Sequence, residues 1–141
     1  MTVEKYRRLY TQNGFFWNNH LVEFVQEFGE KVINYRHDKT GTPQTARFCL
    51  PVEINVGRAY GQHETTVHFL KEEIAPVGVC NADHIQLLLT EKGRLIGFAD
   101  YLLLRWGEEN SDWRSSILKL LQSEAPTKIG VIPSNSSCLK N

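Results

Sequence analysis

A chain of 141 residues, 41% hydrophobic and 23% charged, has the composition of one ordinary globular domain, not of a disordered or fibrous segment. At that size roughly two-thirds of the unfolded surface is buried on folding, so a core needs neither disulfide nor metal. Sixteen basic residues meet sixteen acidic ones, which is not the basic excess of a typical nucleic-acid binder.

The charges are unevenly spread. Residues 61–112 hold four basic groups (Lys71, Lys92, Arg94, Arg105) against nine acidic ones (Glu64, Glu72, Glu73, Asp83, Glu91, Asp100, Glu108, Glu109, Asp112), a local net charge of −5. A solvated surface accounts for this, and an acidic docking face for a basic partner is the alternative. Cys49, Cys80 and Cys138 are odd in number and lack CxxC spacing, which predicts reduced thiols and a cytoplasmic protein. MTVEKYRRLY has no apolar signal core, and no run approaches the ~20 apolar residues of a membrane helix. The expectation is a complete, cytoplasmic chain.

In chain order, residues 3–12 form a weak helix with Tyr6, Leu9 and Tyr10 on one side, ended by TQNG. Phe16 or Trp17 then acts as a hydrophobic staple ahead of the clearest helix, NNHLVEFVQEFGEK. Asn18 or Asn19 caps it, and Leu21, Phe24, Val25 and Phe28 follow the i, i+3, i+4, i+7 stripe of a buried face. Gly29 is expected to end it in the left-handed conformation. KVINYR and ARFCLPV read as strands around the loop DKTGTPQT, where Gly41 and Pro43 supply turn geometry. Residues 53–73 fit either a short helix or an irregular crossover.

PVGVCN, HIQLLLT, GRLIGFA and DYLLLRWG are four further strand-like runs. Gly93, in TEKGRL, occupies a hairpin position that demands a positive φ. Both faces of the last run are largely apolar, so a helix layer is expected over at least part of the sheet. Ser111 caps a closing helix, SDWRSSILKLLQS, with Trp113, Ile117, Leu120 and Leu121 as its buried stripe. After Pro126 the tail is polar apart from KIGVI, a possible edge strand. The expected fold is α+β, with N-terminal helices, a central antiparallel meander of about five to six strands, and a C-terminal helix packed on the sheet. Residues 1–125 form the single domain and 126–141 its tail.

Few residues suggest bond chemistry. His63 and His68 are five apart, which does not place two ligands on one helical face. Cys80, Asp83 and His84 form a loose thiol or metal cluster without a second ligand pair. GxSxG, HExxH, phosphate-binding and calcium-loop patterns are missing, and Gly57, Gly61, Gly78, Gly93, Gly97 and Gly107 are dispersed, one per turn or bend. No catalytic, cofactor-binding or metal-binding residue is therefore assigned. A small enzyme or metal protein built on Cys80, Asp83 and His84 is the alternative.

The order of motifs resembles the third group of the SUKH superfamily over roughly residues 15–123. A helix ends in a phenylalanine–glycine pair (Phe28, Gly29), and Pro76, Val77 and Gly78 match the group's proline-containing strand start. A strand preceded by a histidine follows (His84, Ile85, Leu87). Glu91, Gly93, Arg94, Leu95, Ile96 and Gly97 match its glycine hairpin, and Gly107, Glu108, Asp112, Ile117 and Leu121 match the acidic link into the last helix. Two departures stand out: Glu30 and Lys31 follow Gly29 where a second glycine is usual, and the chain is neutral where many toxin-neutralising proteins are acidic.

The resemblance implies a bacterial immunity protein of a polymorphic toxin system. Such a protein binds a cognate toxin domain, often a nuclease, and blocks it without catalysis. It implies a protein partner, no direct contact with nucleic acid or membrane, no cofactor, and a monomer or weak dimer. A carboxylate-bearing surface suits a basic, phosphate-seeking cleft, so the candidate partner-binding residues are Glu72, Glu73, Asp100, Glu108, Glu109 and Asp112, with Asp100 and the Glu108–Asp112 segment expected near one sheet rim. A regulatory protein-binding scaffold is the second role the resemblance allows.

Overall fold

A computed structural model describes residues 1–37, 40–56, 63–81 and 84–132. The helices are α1 (Val3–Gln12), α2 (Asn19–Phe28), α3 (Pro51–Val56), α4 (His63–Leu70) and α5 (Trp113–Leu121). The strands are β1 (Val32–Arg36), β2 (Pro43–Phe48), β3 (Ile74–Cys80), β4 (Ile85–Thr90), β5 (Leu95–Ala99), β6 (Leu102–Arg105) and β7 (Thr127–Val131). All seven strands join one sheet in chain order, every neighbouring pair antiparallel. This is the expected α+β meander with its closing helix. It has seven strands instead of five to six, because KIGVI does pair along β6.

Alternation along the strands divides the core in two. Val77, Leu87, Leu89, Leu95, Leu104 and Trp106 face one side, where they bury with Tyr6 and Tyr10 of α1, Leu21 and Phe24 of α2, and Trp113, Ile117 and Leu120 of α5. Ile74, Leu88, Ile96 and Leu103 face the other side and pack with Ile132 and with Val67 and Leu70 of α4. The two sets interleave because successive strand residues point to opposite faces. Among the described residues, no helix is long and apolar enough to cross a membrane.

Helix ends follow local chemistry, with three corrections. Thr2 and Asn18 cap α1 and α2 by accepting the amides of Lys5 (3.1 Å) and Leu21 (3.2 Å). Asp112, not Ser111, caps α5, its carboxylate accepting the Ser115 amide at 3.0 Å. Gly29 has φ −49, so it is not left-handed, and Glu30 takes that conformation instead at φ 61. Gly29 is small for another reason: a Cβ there would lie 2.6 Å from the Val25 carbonyl oxygen. The third correction concerns ARFCLPV, whose strand stops at Phe48, since Cys49 turns the chain at φ 53 and Pro51 opens α3.

That corner is held tightly. The Tyr6 hydroxyl donates to the Cys49 carbonyl (2.9 Å), the Tyr10 hydroxyl donates to the Pro76 carbonyl (2.7 Å), and the Cys49 amide donates to the Val77 carbonyl (3.0 Å). Burial pushes both tyrosine hydroxyls well up, so they stay protonated donors. Residues 53–73 hold the end of α3 and the whole of α4, and residues 57–62 lie outside the described residues. Trp17 packs on Tyr10 at 6.1 Å between ring centroids and is partly buried.

The packing of α5 yields a first prediction. Leu120 is 3% exposed in the first-face core, so Leu120→Ala should cost ~2–5 kcal/mol. Urea denaturation should show this as a lower midpoint at an unchanged m value.

Candidate functional site

The six candidate carboxylates do not share one rim. Glu73 and Glu91 meet where β3 begins and β4 ends: the Glu73 amide donates to the Glu91 carboxylate (2.8 Å), and the Glu91 amide donates to the Glu73 carbonyl (2.9 Å). The loop after β6 returns to this same end, because the Trp113 amide donates to the Gly93 carbonyl at 2.9 Å. Glu73, Glu91, Glu108, Glu109 and Asp112 therefore gather at one end of the sheet, all exposed, beside the exposed Lys71 and Lys92. Glu91 was not among the partner-binding candidates named from the sequence, although it stands in the hairpin that places the others.

Gly93 makes this end possible. It adopts φ 89, and a Cβ there would fall 2.6 Å from His20 Nδ1, so the hairpin closes directly against α2. The Asn18 side-chain amide donates to the Glu91 carbonyl (2.8 Å) and ties the cap of α2 to the same turn.

Glu72 and Asp100 depart from the expectation. Glu72 is 4% exposed: its carboxylate binds the Arg94 guanidinium and accepts the Lys92 amide (3.2 Å). It clamps the β4–β5 hairpin and presents nothing to a partner. A carboxylate held out of water persists when a cation and an amide replace its solvation. Asp100 lies in the β5–β6 turn, at the other end of β5 from the acid cluster, about 17 Å away. Asp100 and Tyr101 are both left-handed, with φ 49 and 64.

Asp100 stands instead at an open trough of about 570 Å³ on the second sheet face, between α3 and strands β3–β5. Val52, Val56, Val79, Gln86 and Phe98 line it, together with Arg47, whose guanidinium lies 3.7 Å from Glu53 on α3. The side-by-side placement of Val79, Gln86 and Phe98 follows from strand register, which their separation in the sequence conceals.

Two members of the suspected thiol or metal cluster, Cys80 and His84, are described, and they line different cavities. Cys80 belongs to the first-face core and lines a cavity of about 380 Å³ with Tyr35 and Leu120, whereas His84 lines the trough. Asp83 lies outside the described residues. Among the described residues, no three His, Cys, Asp or Glu side chains converge as a metal site. Burial pushes the Cys49 and Cys80 thiols up to about 12, outweighing the hydrogen bonds from Tyr10 and Tyr35 that favour the thiolates. Both are hydrophobic packing groups and poor nucleophiles at neutral pH. The chain matches no known family model, no curated protein and no solved structure.

Two predictions follow from these side chains. Arg94→Ala strands the Glu72 carboxylate in the core and should cost about 3 kcal/mol, at the low end for a broken buried pair because the arginine itself reaches solvent. Denaturation of Glu72→Gln/Arg94→Met should show part of that loss restored. For the thiols, folded values near 12 against an ordinary value of 9.0 mean that ionisation favours the unfolded chain. Their contribution is complete below about pH 9 and falls as pH rises toward 12, by about 1.4 kcal/mol per thiol at pH 10. Urea midpoints across that range should fall less in a Cys49→Ala/Cys80→Ala variant.

Proposed function

We propose that the chain is a non-enzymatic immunity protein that binds and neutralises a cognate polymorphic-toxin domain, a basic nuclease domain being the best-suited partner, in the bacterial cytoplasm. The observation that carries this reading is the gathering of Glu73, Glu91, Glu108, Glu109 and Asp112 at one end of the sheet. The ordered motifs that resemble the SUKH superfamily point the same way. Negative potential at one end draws in a partner whose cleft is built for phosphate, and it acts on the rate of encounter more than on the lifetime of the complex.

The reading has a direct test. The gene should lie just downstream of one encoding a large secreted toxin, and the purified chain should bind that toxin's catalytic domain and protect cells expressing it. Failure to bind the adjacent toxin domain would sink the proposal. Within a complex, Glu108→Lys/Glu109→Lys should leave the fold intact, since both side chains are exposed, and should slow association several-fold at low salt. The slowing should fade at physiological ionic strength, where the Debye length is about 8 Å. Stopped-flow association rates across a salt series measure this, and equal slowing at all salt concentrations would remove the electrostatic role.

A further inference from the structure

We infer that the trough on the second sheet face is where the complex is gripped, and that its occupant is an apolar segment of the toxin domain carrying a lysine or arginine for Asp100. This rests on the toxin-binding reading and adds a second surface to it, distinct from the acidic end. The middle strands are apolar on both faces, which calls for a cover on each side. Among the described residues, the fold provides one and a half. α4 and Ile132 close over Ile74, Leu88, Ile96 and Leu103, while Val79, Gln86 and Phe98 on the same face stay half-exposed.

Register makes those three residues a continuous floor: Val79 pairs with Gln86, and Gln86 pairs with Phe98. α3 forms the wall and carries Val52, which is 66% exposed. Apolar surface in this position, bordered by a few polar groups, is the anatomy of a recognition site. A small organic ligand is less well suited, because such ligands are mostly enclosed by their pockets and this trough is open, with Val52 on its wall largely exposed.

Charge selects the occupant's chemistry. Arg47 is held by Glu53, whereas Asp100 makes no ion pair with a described residue. The charge left unanswered is therefore negative and sits at the mouth of the trough, which a cationic side chain complements. Tyr101 beside it is left-handed, which is costly for a bulky residue, yet it stays 40% exposed and packs edge-on against Phe98 at 6.2 Å. That strain holds an aromatic ring and a carboxylate at the edge of this floor.

The test uses the full chain and, as probe, the toxin domain encoded directly upstream with its catalytic activity abolished. Dissociation rates are read by surface plasmon resonance, with circular dichroism confirming the fold of each variant. Val52→Lys and Phe98→Ala should each speed dissociation about tenfold or more. Asp100→Asn, which tolerates the same backbone conformation, should weaken binding about five-fold. Glu108→Lys/Glu109→Lys should leave the dissociation rate at the wild-type value. Val52 is largely solvent-facing, so its variant reports on binding even if Phe98→Ala fails to fold. Wild-type dissociation in Val52→Lys and Asp100→Asn overturns the trough and leaves the toxin-binding reading standing, as does faster dissociation confined to the Glu108/Glu109 variant. No binding by the wild-type chain overturns both.

Discussion

A sheet whose middle strands are apolar on both faces must be shielded on both, and most of this structure answers that demand. α1, α2 and α5 take the first face, where Phe24 lies 4.9 Å from Trp113 between ring centroids and joins two helices distant in sequence. α4 and the residue after β7 take half of the second. Each cover is itself fixed by polar contacts at its ends. Asp112 and Asn18 cap the helices over the first face, and the Glu72 carboxylate pins the chain just after α4 to the β4–β5 hairpin. Hydrophobic area supplies the driving force, and these few charged or capped positions decide where it is spent.

The corner at Cys49 shows the same division of labour on a smaller scale. A left-handed non-glycine residue in the interior is strained, and it persists because its surroundings over-determine it. Two tyrosine hydroxyls and a strand carbonyl take up hydrogen-bonding groups there and at the neighbouring β3 bulge. The result directs the chain out of β2 into α3 at one angle.

Much of this was legible from periodicity. The stripe Leu21, Phe24, Val25 and Phe28 gave α2, and the stripe from Trp113 to Leu120 gave α5, because a 3.6-residue repeat survives without knowledge of the partners. Gly93 was legible because its hairpin admits little else. The corner after Phe48 was not, since Cys49 is an uncommon residue for a left-handed turn and nothing local announces the tyrosines that hold it. The site was legible in composition but not in position. Acid content marked residues 61–112, yet Glu72 turned inward to an arginine 22 positions away, and Asp100 went to the opposite end of β5. Distances across a sheet depend on register, which a list of residues does not carry.

The meander has a consequence for how this surface can change. Because spatial order equals chain order, each central strand is two interleaved texts: 77, 87, 95 and 104 are read by the helices, while 79, 86 and 98 are read by whatever lies outside. Substitutions in the second text leave the packing of the first in place, because the two point to opposite faces. On the proposed reading, a surface that must follow a changing partner is revised one letter at a time while the scaffold stays the same.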